Sequence, residues 1–249
     1  MSKNDMIHKE IDGDIGILLL DNPPQNYLLT PEFIPIEELK GWIINNQFKG
    51  LVISGVGRHF SGGANLDSLY SLAENEQQLA VSLEKGKRLL TYIEDLDIPV
   101  AAAINGICFG GGLEVALSCH LRICSTNSLF AFPETNHNMI PGLGGIYRLR
   151  ERLSFKDSIN MILSGDMINA EEALLLKVVD IITDEEDPRS YTVNLLKKIT
   201  EGRELKVINY VIQALKNSKK LPFEEAMHKE TRMFCELAKI ESNRRKNTL

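Results

Sequence analysis

The sequence predicts an α/β fold, with strands and helices mixed through most of the chain and helices alone at its end. Three observations carry this. Apolar, strand-like runs such as Gly50-Leu51-Val52-Ile53-Ser54 and Val100-Ala101-Ala102-Ala103-Ile104 recur between helical patterns. Glycine-rich turns stand just before helical segments, at Gly110-Gly111-Gly112 and at Gly142-Leu143-Gly144-Gly145. From Pro188 onward the pattern is helical, broken only near Gly202 and Pro222.

Taken in order, residues 7–20 read as two short strands about an Asp12-Gly13-Asp14 turn. Asp21-Asn22-Pro23-Pro24-Gln25-Asn26 is a loop by its breakers. Pro31 suits a first helical turn, so a helix is expected from there through Trp42. The strand at residues 50–54 leads into a glycine-rich loop over residues 55–63. Leu79, Leu83, Gly86, Leu90 and Ile93 recur three and four apart, which predicts one long amphipathic helix over residues 67–96. A strand from Pro99 to Ile104, an Asn105-Gly106 turn and the triple glycine precede a helix beginning Leu113-Glu114-Val115. Short strands follow at Leu121-Arg122-Ile123-Cys124 and Leu129-Phe130-Ala131-Phe132. Helices are expected over residues 145–152, 155–163 and 170–176, and a last strand over 178–182. The division is therefore a core of residues 1–187 and a helical region of residues 188–249.

With 249 residues, 43% of them hydrophobic, the chain can bury a sizeable core. A net charge of −6 argues against a nucleic-acid or anionic-membrane binder. No run approaches the roughly 18 apolar residues of a membrane span. The polar start Met1-Ser2-Lys3-Asn4-Asp5 shows no leader, so a cytoplasmic location is expected. Cys108, Cys119, Cys124 and Cys235 form no C-x-x-C pair and read as reduced thiols. Cys119, His120 and Cys124 lack a fourth ligand, so no metal is expected.

The chemistry concentrates at two places. Gly110-Gly111-Gly112 opens a helix, where backbone N–H groups have no partner of their own and glycines admit a close approach. Such donors can hold a developing oxyanion. Glu114 falls in the same first turn, and Glu134 follows 20 residues later, in Phe132-Pro133-Glu134. Two carboxylates beside an oxyanion site suit acid–base chemistry on a carbonyl compound.

Several motifs, in series, resemble the enoyl-CoA hydratase/isomerase family, the crotonases. They are His59-Phe60-Ser61-Gly62-Gly63-Ala64-Asn65-Leu66, the stretch from Ile98 to Glu114, Phe132-Pro133-Glu134, Ile140-Pro141-Gly142-Leu143-Gly144-Gly145, and Leu163-Ser164-Gly165-Asp166 with Ala170-Glu171-Glu172-Ala173. The resemblance spans nearly the whole chain. It implies a crotonase-like superhelix of β-β-α turns with a helical C-terminal trimerisation region, and assembly as a homotrimer or hexamer. It implies an acyl-CoA thioester substrate, coenzyme A being part of the substrate and no further cofactor being needed. Matching positions makes Ala64 and Gly111 the backbone oxyanion donors and Glu114 and Glu134 the catalytic pair. Gly62, Gly63, Asn65, Leu66, Gly110, Phe132 and Gly142 are the implied substrate-binding positions, with residues 22–27 lining the pantetheine. Having both glutamates implies reversible hydration of a 2-enoyl-CoA to a 3-hydroxyacyl-CoA.

The chain departs from the family's usual pattern at Asn65 and His120, where many members have Asp, and at Phe132, where many hydratases have a polar residue. These departures leave a sibling reaction open, such as enoyl-CoA isomerisation or a dehydration or decarboxylation in polyketide branching. A non-catalytic acyl-CoA-binding protein is the alternative of another class.

Overall fold

The computed structural model describes residues 6–185 and 187–248; the polar start at residues 1–5 lies outside them. β1 (Ile7–Asp12) and β2 (Ile15–Leu20) form an antiparallel hairpin about Gly13, whose φ is +64°. β3 (Gly50–Gly55), β4 (Val100–Ile104), β6 (Leu121–Ser125) and β9 (Ile181–Thr183) extend it in parallel, giving the sheet order β1-β2-β3-β4-β6-β9. A second sheet has the order β5 (Ile107–Phe109), β7 (Leu129–Ala131), β8 (Ile168–Asn169).

A parallel sheet needs both faces covered, and its strands then read as continuous apolar runs. Successive rows of the large sheet point to opposite sides. Ile17, Val52 and Ala101 lie in register in one row. This row joins a layer closed by Val193 and Leu196 of α8 (Pro188–Thr200). The next row, Leu18, Ile53 and Ala102, enters the main core. There it meets Leu39 of α1 (Ile36–Asn46), Leu90 and Ile93 of α3 (Glu76–Glu94) and Leu113 of α4 (Gly111–Ser118). The C-terminal helical region thus begins with a helix that seals one face of the sheet. α9 (Leu205–Lys220) and α10 (Phe223–Thr248) pack on each other beyond it.

The sequence reading has no strand at β5 or β8, ends the first helix at Trp42 rather than Asn46, and differs at three further boundaries. The first helix starts at Ile36 rather than Pro31, because Pro35 is its N-cap in extended geometry. A proline disfavours helical backbone in the residue before it and lacks the N–H a helix interior needs. The expected long helix is two, α2 (Leu66–Ala73) and α3. Asn75 between them is extended, with φ −127°, and its side chain accepts from the Gln78 N–H. This N-cap starts a second helix. The last strand begins at Ile181, because the Val178 and Val179 N–H groups both donate to Ala173 O and close the end of α7 (Ala170–Leu175).

One ion pair ties the sheet edge together. Arg122, fully buried on β6, donates to Asp180 Oδ2 at 2.5 Å and to Cys119 O at 2.6 Å, and its own N–H reaches the same carboxylate at 2.8 Å. Removing one partner of such a pair leaves a buried charge uncompensated. Asp180→Ala is expected to lower unfolding free energy by about 3 kcal/mol in urea titration; an unchanged midpoint would show that Arg122 is satisfied without it.

Candidate active site

The loops that leave β3 and β4 meet at the carboxyl ends of those strands, where ligands bind in open α/β sheets. The loop after β3 runs beside β5: Ser61 N donates to Ile107 O at 3.2 Å and Phe109 N to Ser61 O at 3.0 Å. On its other side Leu28 N donates to Gly63 O at 2.8 Å and Asn65 N to Leu28 O at 3.0 Å. This parallel bridge occupies the groups flanking Ala64 and turns the Ala64 N–H away from Leu28. The loop is fastened from behind by Asn26, which donates to Val56 O and His59 O, and by Ser61 Oγ, which donates to Asn26 O.

Gly111 begins α4, so its N–H has no acceptor within the helix. The Ala64 and Gly111 amides are neighbours. A Cβ on Gly111 would lie 3.7 Å from Ala64 N, and one on Gly63 would lie 3.2 Å from Gly111 N. Gly63 must be glycine, having φ +91° and only 2.7 Å between that Cβ position and Phe109 O. Gly110 has φ +47° and ψ −121°, and a Cβ there would stand 2.8 Å from Glu134 Oε1. The two glycines therefore let the loop, the helix start and a carboxylate converge.

Glu114 is 2% exposed, in the first turn of α4. Its Oε1 accepts from Leu143 N at 2.6 Å and from Gly145 N at 2.7 Å. Gly145 is required here too, since a Cβ would press on Glu114 Cγ at 2.8 Å. Glu134 stands in a single 3-10 turn, Pro133–His137, with Pro133 opening the turn. Its Oε2 is buried and meets no donor among the described residues. Burial raises the Glu114 carboxyl to about 7, with the nearby Glu134 adding to the rise and the two amides and Arg148 opposing it. Burial raises Glu134 to about 7 as well.

Both carboxylates line an apolar cavity of about 480 Å3, with Ala64 and Gly111. Its walls come from Leu28 and Leu29, from Leu69 and Leu72 of α2, from Leu79 and Leu83 of α3, and from Met139 and Ile140. A second cavity, of about 370 Å3, shares Ala64, Gly111 and Glu134 and continues past Tyr27, Gly62, Leu66 and His137. The site is thus a junction: Ala64, Gly111 and Glu134 line both spaces, and Glu114 lines the apolar one.

Among the positions singled out from sequence, Gly62, Asn65, Leu66 and Gly110 line the second cavity, and Gly142 lines the apolar one. Asn65 also caps α2 by accepting from Ser68 N at 2.9 Å. Gly63 is buried at the loop's turn. Phe132 is fully buried, 2.9 Å from where a Gly145 Cβ would be, and packs behind the turn that holds Glu114. His120 is structural. Its Nδ1 accepts from Val100 N and its Nε2 bonds Glu94 O, which ties β4 to the end of α3. His59 likewise accepts from Ile107 N. Sequence reasoning missed the α2 and α3 wall. Leu79 and Leu83 read there only as a helical stripe, and a stripe does not say whether it faces core or cavity.

The enoyl-CoA hydratase/isomerase family profile matches residues 11–248. The chain belongs to this family. It is 31% identical over 231 residues to a probable enoyl-CoA hydratase of Bacillus subtilis (strain 168), covering 91% of this chain and 88% of that protein. It is 33% identical over 227 residues to the fatty acid oxidation complex subunit alpha of Shewanella frigidimarina, with 86% of this chain matched. The match spans only 31% of that longer protein. A crystal structure from Geobacillus kaustophilus HTA426, described as "Enoyl-CoA Hydrates Subunit I", superposes with a TM-score of 0.84 at 26% identity, over 98% of this chain and 93% of that one. The fold is therefore the crotonase α/β fold, a mixed sheet core with a C-terminal helical bundle.

The raised carboxyls have a consequence for stability. A carboxyl that ionises less readily in the folded chain weakens the fold as pH rises from about 4.5 to about 7. Glu134→Gln is accordingly expected to be the more stable protein at pH 8, by about 1–3 kcal/mol, with the difference gone near pH 4. Urea unfolding at the two pH values measures this, and equal stability at pH 8 would contradict a Glu134 carboxyl raised by desolvation.

Proposed function

We propose that this chain hydrates a 2-enoyl-CoA to a 3-hydroxyacyl-CoA, and catalyses the reverse dehydration, with Ala64, Gly111, Glu114 and Glu134 as its working groups. One observation carries the proposal: the neighbouring residues Ala64 and Gly111, the buried Glu114 and the half-buried Glu134 line a single cavity. Family membership and the enoyl-CoA hydratase names of its relatives support it.

In this mechanism the thioester oxygen lies between the Ala64 and Gly111 N–H groups. A water is held by Glu114 and Glu134. Glu134 takes one proton from it as the oxygen bonds to C3. The C2=C3 electron pair moves into the thioester, giving an enolate whose oxygen the two amides stabilise. That pair then returns to C2, which takes the proton from Glu134. Water has been split between C3 and C2, and the protein is unchanged. Each amide is worth about 3–4 kcal/mol to such a transition state. A carboxyl near 7 suits a group that takes and returns a proton at neutral pH. Glu114, with Oε1 held by two amides, has Oε2 left to orient the water.

The leucine-lined cavity suits the acyl chain, and the cavity past Gly62, Leu66 and Tyr27 suits the pantetheine arm. Assembly as a homotrimer or hexamer is supported by apolar side chains left exposed on the single chain, among them Leu163, Leu175, Phe223 and Phe234. Among the described residues no helix is long and apolar enough to cross a membrane. A cytoplasmic location is supported by four unpaired cysteines.

Crotonyl-CoA tests the proposal through the absorbance of its conjugated enoyl-thioester. The unaltered chain is expected to bleach it, and Glu134→Gln to slow kcat by about 100- to 10,000-fold. Affinity for butyryl-CoA, which has no double bond to hydrate, is expected to stay close to its starting value. Full activity in Glu134→Gln rejects the mechanism. Binding without bleaching in the unaltered chain points to a sibling reaction or a purely binding role.

A further inference from the structure

The amides that hold Glu114 lie in a short turn, residues 143–145, and that turn is itself gripped from its far side. Arg148, on α5 (Gly145–Arg150), is 6% exposed. Its Nη1 donates to Leu143 O at 2.9 Å, and its Nε donates to Glu94 Oε2 at 3.1 Å. Its backbone N–H donates to Gly144 O at 3.1 Å. Leu143 is thus bonded at both ends of its peptide framework, its carbonyl to Arg148 and its N–H to Glu114. Gly144 has φ +93°, and a Cβ on it would stand 2.9 Å from Arg148 Nη1, so the turn is shaped around the guanidinium.

We propose that Arg148 is a positioning residue for the hydration: anchored by Glu94 at the end of α3, it holds the turn so that the Leu143 and Gly145 N–H groups converge on Glu114. Arg148 does not line either of the two cavities that meet at the amides. It lies on the wall of a separate cavity of about 760 Å3 between α5 and α9. The relay therefore links the outside of α5 to the carboxylate inside, through the single residue Leu143. It rests on the reading of Glu114 as a working group.

The charges around the relay decide its pH behaviour. Glu114 is faced by Glu134 and Arg148. Arg148 bonds Glu94 of α3 and shares the wall of that outer cavity with Cys119 and His120 beyond α4, with Tyr147, Glu151 and Arg152 of its own segment, and with Lys216, Lys219 and Lys220 of α9. The three lysines are paired with Asp97, Glu151 and Asp95 respectively, and His120 has both ring nitrogens engaged by backbone. Glu94 is the carboxylate that bonds Arg148 directly.

Two substitutions should then act in opposite directions on Glu114. Arg148→Met removes a positive charge and the grip on Leu143, so Glu114 should hold its proton to higher pH. Glu94→Gln keeps an oxygen for the Arg148 Nε–H but leaves the guanidinium uncompensated, so Glu114 should lose its proton at lower pH. Arg148→Lys keeps the charge and loses the fork, so the titration should stay near its starting place. The readout is a 13C titration of the glutamate carboxyls in the intact protein, with the Glu114 signal assigned by its loss in Glu114→Gln. Steady-state hydration of crotonyl-CoA accompanies it.

For Arg148→Met, kcat is expected to fall by about 10- to 100-fold with little change in KM, as for a catalytic group displaced from outside the site. Arg148→Lys is expected to recover part of kcat. A merely structural Arg148 would lose thermal stability and activity together, with no opposed titration shifts. Unmoved Glu114 titration in both Arg148→Met and Glu94→Gln overturns the relay, as does unchanged kcat in Arg148→Met. Full hydration by Glu114→Gln would instead overturn the reading of Glu114, whatever the titrations show.

Discussion

A carboxylate taken out of water needs donors from the protein to replace the ones it has lost. That constraint organises the centre of this molecule. Glu114 is nearly inaccessible, and two amides of the 143–145 turn take the place of water at one of its oxygens. The requirement reaches outward. The turn can present both amides only if residue 145 carries no side chain against Glu114, Phe132 fills the space behind it, and residue 144 takes positive φ. Burial and donors pull against each other, and burial prevails: the carboxyl titrates near 7 although two amides favour its charged form.

Glu134 solves the same problem differently. Its buried Oε2 meets no donor among the described residues, and its Oε1 lies 2.8 Å from where a Cβ on residue 110 would stand. The outcome is again a carboxyl near 7, by burial. Two acids with one titration range but unlike surroundings fit a division of labour. One is held rigidly by backbone, and the other is freer to take and return a proton.

The two amides at the junction owe their direction to pairing elsewhere. Ala64 points away from Leu28 because Gly63 and Asn65 spend their groups on Leu28. Gly111 is free because it opens a helix that follows β5 directly. Each loop is fixed by a strand or a bridge behind it, so the donors stand ready without rearrangement. This is the condition under which fixed dipoles stabilise developing charge best.

Much of this was legible in the chain alone. The order of strands in the large sheet and of most helices, the hairpin about Gly13, the glycine turn before Glu114 and the family resemblance all rest on local pattern, and local pattern is what backbone propensity and periodicity record; the short strands β5 and β8 carry too little pattern to be read. The break at Asn75 and the late start at Pro35 were also local, but the apolar stripe and Pro31 spoke louder than a single cap. What tertiary structure alone decided is which faces meet. Leu79 and Leu83 look alike as core or as cavity wall. Arg148 looks like any basic residue in a last helical turn, until Leu143 O and Glu94 are found at its two ends. Residues far apart in the chain, Ala64 with Gly111 and Glu114 with Leu143 and Gly145, become one site only through the pairing of the parallel sheet and its loops. That pairing is a property of three-dimensional closure, which no one-dimensional spacing contains.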